Sequence, residues 1–311
     1  MQWQEKDNCL FKEFNFVSKE QSLGWANECI EIGKKMNHDP HEVLNNGLEV
    51  VVWLTTHDQN KVTEKDWNLA KALDGAFYTS GNGLKTHLLG SAEAHNVWIH
   101  LFERQHLNLQ HKAHPWFWDG LKILELEKNN IPELEQINQN LKNFKSEPTP
   151  VQYEGDEKWF EFLAKRKIMR TKYIRVLEDV DYTPLPDIFH DVFGHLPLLT
   201  NTEVASLAEK FGHTFLKAEN DLQRFMVERL WWNSFEFGLM EVNGEKLIIR
   251  AGLFSSFGEC NFAFGPQAKL VEFKQELLST LDRSPHSFHK SFMVFKSFEQ
   301  ISETLDWILK Q

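Results

Sequence analysis

The stretch DIFHDVFGHLPLL, residues 187–199, limits the fold of this chain more than any other. It sets His190 and His195 five apart in an otherwise apolar run, with Gly194 directly before the second histidine. On a regular α-helix, residues five apart are rotated by about 500°, which leaves them about 140° apart. The i, i+4 arrangement of a helical metal pair is therefore not available here. Something must turn between the two rings. Asp187, after Pro186, is placed to cap a short helix with His190 in its first turn, and Gly194 with Pro197 is expected to end that helix at His195. Both imidazoles can then converge. Two histidines alone are equally well read as core residues, so a third ligand is needed.

The third candidate lies in ERLWWNSFEFGLM, residues 228–240. Trp232, Phe235, Glu236 and Leu239 fall at i, i+3, i+4 and i+7, which would put the Glu236 carboxylate on an apolar helix face. An unpaired buried carboxylate costs several kcal/mol, so it calls for protonation, an arginine such as Arg250 or Arg175, or a metal ion. Two neutral imidazoles and one carboxylate without a thiolate form the facial set suited to non-haem Fe(II), with positions left open for dioxygen and substrate.

Composition narrows the partners. The 311 residues carry a formal charge of −11 with both signs interspersed, which argues against nucleic acid and anionic membranes and for a small-molecule partner. No apolar run approaches the roughly 18 residues that span a bilayer. The start, MQWQEKDNCLFKEF, lacks a leader layout, so a cytoplasmic protein is expected. Cys9, Cys29 and Cys260 are scattered and suggest neither disulfides nor a thiolate metal site. The 25 Phe and 11 Trp read first as aromatic core.

The chain divides into two units. Residues 1–80 alternate strand and helix signals. FKEFNFV places Phe14 and Phe16 on one side of a strand, Ser18 looks like a helix cap, and Trp25, Cys29, Ile32 and Met36 recur at helical spacing. LEVVVWLTTH is a strand ending at His57, and Thr63 to Asp66 is a second helix cap. This predicts an α+β domain, an antiparallel sheet with helices on one face. Residues 81–91 read as a linker. Residues 92–311 are mostly helical, with a break near FKSEPTPVQYEG and a hairpin at Asn243-Gly244.

From about residue 92 to 300 the chain resembles the pterin-dependent aromatic amino acid hydroxylases, the bacterial phenylalanine hydroxylases in particular. YTPLPDIFHDVFGHLPLL, WWNSFEFGL and AGLFSSFGE carry the likeness, between AEAHNVWIHLFERQ and FMVFKSFEQ. The resemblance implies Fe(2+) on His190, His195 and Glu236. It implies Arg175 for the substrate carboxylate, with Thr183 beside it, Ser255 near an iron-bound histidine, and Trp232 and Phe237 as the aromatic wall of the substrate pocket. The ring that stacks on the pterin falls on Trp159 or Phe160. Two departures stand out: PVQYEG at 150–155 replaces the usual pterin loop, and Trp231 stands where a tyrosine is usual. The implied reaction is hydroxylation of an aromatic amino acid, phenylalanine first, with tetrahydropterin (tetrahydrobiopterin or a bacterial analogue) and dioxygen. A catalytically silent pterin or amino-acid sensor is the alternative, though a sensor has no need of three iron ligands. A metallohydrolase is disfavoured because the segment lacks the glutamate base of HExxH.

MNHDPHEV and WLTTHDQNKVTEKDWNLA, within about residues 8–77, resemble pterin-4a-carbinolamine dehydratase. That family's site residues fall on His38, His57 and Asp66, and Asp39 stands where a second adjacent histidine is common. The resemblance implies either a dehydratase for the 4a-hydroxypterin that hydroxylation releases, or a module for pterin binding or homo-oligomer assembly.

Overall fold

The computed structural model describes residues 3–16, 19–79, 86–148, 156–181, 186–249, 251–281, 289 and 291–311. Ser18, Thr183, the 150–155 loop and Arg250 lie outside them. The chain forms two compact units, Met1–Lys85 and Thr86–Gln311.

In the first unit the order is β1 (Gln4–Lys6), β2 (Cys9–Asn15), α1 (Lys19–Lys35), β3 (Glu42–Asn45), β4 (Glu49–Leu54) and α2 (Glu64–Thr79). The strands form one antiparallel sheet in the order β1-β2-β4-β3. Period-two alternation turns Leu10 and Phe14 of β2, with Val50, Val52 and Leu54 of β4, to one side. Trp25 and Cys29 of α1 and Leu69, Leu73 and Phe77 of α2 close over that side. Each fully buried large apolar side chain contributes about 1.5–3 kcal/mol. Lys12 shares this inward register, and its Nζ meets Asp74 of α2 at 2.8 Å. Strand β4 stops at Leu54 rather than at the expected His57, because Thr56 bridges back to Lys61 across a tight turn. The expected cap at α2 is formed: Thr63 N donates to Asp66 Oδ2 at 2.7 Å, and Lys65 N donates to Thr63 Oγ1 at 3.3 Å.

The second unit begins with β5 (Thr86–Leu88), which pairs antiparallel with a later strand, Tyr173–Arg175. Ser91 then caps the helix from Ala92 by accepting from Ala94 N. These contacts move residues 86–91 out of the expected linker and into this unit. The order continues α3 (Ala92–Asn108), α4 (Pro115–Ile123), α5 (Leu134–Asn140), β6 (Lys145–Pro148), α6 (Asp156–Ala164), β7 (Lys167–Arg170), β8 (Tyr173–Arg175), α7 (Leu196–Leu199), α8 (Thr202–Lys217) and α9 (Asp221–Trp231). It closes with β9 (Leu239–Val242), β10 (Glu245–Ile248), α10 (Ala251–Ser255), α11 (Phe257–Ala263), β11 (Lys269–Glu272), β12 (Ser291–Phe295) and α12 (Phe298–Ile308).

Helices dominate, as expected. A small mixed sheet, β10-β9-β12-β11, includes the expected hairpin at Asn243 (φ 53°) and Gly244 (φ 83°). Gly212 lets α8 lie directly on α6, since a Cβ there would sit 2.2 Å from Ala164 N. Among the described residues no helix is long and apolar enough to cross a membrane.

Candidate active site

Two turns of π-helix carry the predicted ligands, Phe189–His195 and Trp232–Glu236. A π turn closes i→i+5 bonds, so it brings residues five apart onto one side where an α-helix would separate them. This corrects two expectations. The helix does not end at His195 but runs on into α7, with Pro197 in its first turn, where a missing N–H costs little. Glu236 does not lie on an α-helical face with Leu239, because Phe237 N donates to Trp232 O at 3.0 Å and Leu239 opens β9. The absence of a side chain at Gly194 admits Ala251 of α10, since a Cβ would lie 2.9 Å from its carbonyl oxygen. The expected cap is present: His190 N donates to Asp187 Oδ1 at 3.0 Å.

His190, His195 and Glu236 offer donor atoms that all lie within 4.8 Å of one another. The two Nε2 atoms are 3.1 Å apart; His195 Nε2 is 3.2 Å from Glu236 Oε1 and His190 Nε2 is 3.6 Å from Oε2. Ligand bonds of about 2.1 Å meeting at right angles would place neighbouring donors about 3 Å apart, so the spacing fits a cation held on one face. The protonation states fit as well. Burial pushes His190 down to about 4, which leaves its lone pair available at neutral pH. Burial pushes the Glu236 carboxyl up, but His195, His190 and the Trp231 N–H more than offset it and hold the group below the usual range.

The surrounding shell orients this set. Ser255 Oγ lies 2.9 Å from His190 Nδ1; with Nε2 turned to the metal position, Nδ1 carries the proton and donates to the hydroxyl. Ser255 thus touches one of the three candidate ligands. Trp231, the departure from tyrosine, donates from Nε1 to Glu236 Oε1 at 3.1 Å. Arg175 is not the counter-ion of Glu236. Its Nε and Nη2 fork onto Asp187 at 2.7 and 2.8 Å, and Nη1 donates to Ser255 O at 3.2 Å. Those contacts use three of the five guanidinium N–H donors and leave two.

The aromatic candidates separate. Phe160 is 1% exposed and stacks on Phe215 of α8 at 4.4 Å, so it is a core residue and is removed from the pterin-stacking pair. Trp159 sits against the ligand set, 5.6 Å from the His195 ring and 5.7 Å from Trp231, with a buried Nε1 that has no partner among the described residues. Trp232 and Phe237 meet at 4.9 Å. His289, missed in the sequence, joins them: it stacks on Phe237 at 4.1 Å and accepts from Trp232 Nε1 at 2.8 Å. That bond leaves the proton on Nδ1, which donates to the buried Glu259 at 2.8 Å. Nothing in the local sequence around His289 signals this role.

In the first unit, His38 Nε2 lies 2.8 Å from Asp66 Oδ1, while Asp66 Oδ2 accepts from Thr56 Oγ1 at 2.7 Å. Burial pushes the Asp66 carboxyl up, but bonds from Thr56, His38 and Thr63 more than offset it and hold the group below its ordinary value. His57 follows Thr56 and is exposed. Asp66 therefore both caps α2 and orients His38.

Both units are similar to known proteins. Residues 1–76 match the family model of pterin 4 alpha carbinolamine dehydratase. The chain is 35% identical over 214 residues to the phenylalanine-4-hydroxylase of Caulobacter vibrioides, covering 67% of this chain and 72% of that protein. The Chromobacterium violaceum phenylalanine hydroxylase structure with bound oxidised Fe(III) superposes with a TM-score of 0.67 at 30% identity, covering 71% of this chain and 83% of that one. A second structure of that protein, with iron(III) and 7,8-dihydrobiopterin, gives 0.67 at 29% identity over 75% and 89%. Residues 76–310, with the two π turns and their three candidate ligands inside them, match the family model of biopterin-dependent aromatic amino acid hydroxylase, and the chain belongs to that family.

Proposed function

We propose that the protein hydroxylates phenylalanine to tyrosine with Fe(II), a tetrahydropterin and dioxygen, and that its first unit dehydrates the 4a-hydroxypterin released. The observation that carries this reading is the convergence of His190, His195 and Glu236 on one buried point. Iron held there supplies the dioxygen chemistry. The protein's own groups do the rest. Ser255 and Trp231 orient two of the ligands. The two remaining Arg175 donors face the substrate carboxylate bidentately, which fixes the ring end of the amino acid relative to the metal. Trp232 and Phe237 form the apolar wall for that ring, and Trp159 offers its indole to the pterin. Thr183, outside the described residues, is assigned beside Arg175 on resemblance alone. The relatives' names support phenylalanine, and the three free cysteines suit a reducing cytoplasm.

The test is product analysis of Fe(II)-loaded protein with tetrahydrobiopterin and phenylalanine, tyrosine or tryptophan in turn. Tyrosine formed from phenylalanine with the highest kcat/KM is the expected result; preference for another ring overturns the substrate. Removing residues 1–80 should leave the first turnover intact and let 4a-hydroxypterin accumulate, read by its ultraviolet absorbance. Equal decay in both forms would leave the first unit an assembly or ligand-binding module.

A further inference from the structure

We infer that His41 supplies the second imidazole of the N-terminal site, the group that position 39 lacks. The inference rests on reading the first unit as a dehydratase. The rings of His41 and His57 lie 5.0 Å apart between centroids, tilted by 56°. Strand pairing holds them there. His41 directly precedes β3 and its N–H donates to Trp53 O at 2.8 Å, while His57 lies just past the end of β4, in which Trp53 pairs with Glu42. His38 reaches the same end of the sheet through Asp66, whose other oxygen is bonded to Thr56 beside His57. His41 and His57 are both exposed, so a dissolved pterin can reach them. Three imidazoles and one orienting carboxylate therefore gather at one end of the unit.

The chemistry needs two of them in opposite protonation states. Loss of water from a 4a-hydroxytetrahydropterin breaks the C4a–O bond and forms the C4a=N5 double bond. One proton goes to the departing oxygen and one leaves N5, giving water and the quinonoid dihydropterin with no change in electron count. With Nε2–H donated to Asp66, His38 presents Nδ1 as the base for the N5 proton. His41, beside His57, stands as the acid for the departing hydroxyl.

The experiment uses the full chain loaded with Fe(II). A burst of phenylalanine hydroxylation with limiting tetrahydrobiopterin generates the 4a-hydroxypterin, and its ultraviolet absorbance is followed as it decays. Spontaneous decay in the absence of protein is subtracted. His38→Ala, His41→Ala and His41→Gln are compared with the parent, with Asp39→Ala as the control at the exposed neighbouring position. General acid–base groups contribute about 10²–10⁴-fold, so both His41 variants should slow the protein-dependent decay about a hundredfold, and added imidazole should restore part of the His41→Ala rate. If His38→Ala slows decay while the His41 variants keep the parental rate, the His41 assignment falls and the dehydratase reading stands. If none of the variants differs from the parent, the dehydratase reading falls and His41 with it.

Discussion

Asp187 is the residue whose loss should be felt farthest. It is 1% exposed, and its two oxygens accept four bonds: Oδ1 from Arg175 Nη2 at 2.8 Å and His190 N at 3.0 Å, Oδ2 from Arg175 Nε at 2.7 Å and Arg175 N at 2.9 Å. Asp187→Ala strips the fork from an arginine that is itself 2% exposed. Breaking one side of a buried ion pair costs about 3–5 kcal/mol, because the surviving charge stays in the interior without a partner. The two orphaned backbone N–H groups add to this but not independently, since all four bonds meet on one carboxylate. In a unit the size of residues 86–311, each kcal/mol moves Tm by about 2–4 °C, so the expected fall is roughly 6–20 °C. The assay is calorimetry of the iron-loaded protein. Asp187→Asn keeps an acceptor of the same shape but loses the charge and should fall between the two. The phenylalanine KM of both variants should rise, since the loss leaves the Arg175 guanidinium only its Nη1 bond to Ser255 O. A Tm within 2 °C of the parent for Asp187→Ala, with KM unchanged, would refute the argument that this pair holds the arginine.

Other outcomes follow from the same structure. His190→Ala and His195→Ala should lose iron, measured by metal analysis, together with turnover; full occupancy in both would overturn the ligand set. Arg175→Lys should raise the phenylalanine KM at least about tenfold with iron content retained, because lysine keeps the charge but not the fork; an unchanged KM makes Arg175 structural. Gly212→Ala should destabilise the second unit by at least about 1–3 kcal/mol, since its Cβ would press on Ala164 N and Phe160 O, backbone atoms that no rotamer change can move; a parental Tm would refute this. Asp66 is held below its ordinary value, so its contribution is present above the unfolded pKa of about 3.9 and is lost as pH falls through the folded value. The first unit should therefore weaken below about pH 4, read by amide-exchange protection of α2, and Asp66→Asn should flatten that slope.

Features set by neighbours in the chain were legible in the sequence. The alternation of Leu10, Phe14, Val50 and Val52, the Thr63 to Asp66 cap and the Asn243-Gly244 hairpin each depend on residues a few positions apart, whose propensities act locally. The three candidate ligands were legible for a different reason: spacing alone left core histidines and an arginine partner for Glu236 open, and it was the surrounding motifs, through their resemblance to a family, that pointed to a metal site.

Tertiary structure decided the rest. An α-helix and a π turn share the same local residues, and both turns here pack against α10, Gly194 against Ala251 and Glu236 O against Gly252, contacts that spacing does not carry, so spacing alone put Glu236 on the wrong face. Trp159 and Phe160 are adjacent in sequence, and only the packing of α6 on α8 sends one to the ligand set and the other to the core. Arg175 was open to either Glu236 or a substrate, and only the return of Asp187 beside it ruled out the first. His289 reaches Glu259 across thirty positions, and His41 meets His57 because two strands pair antiparallel. Such contacts carry no local signature, because a side chain's partner is set by where the backbone returns, and that is a property of the whole packed unit.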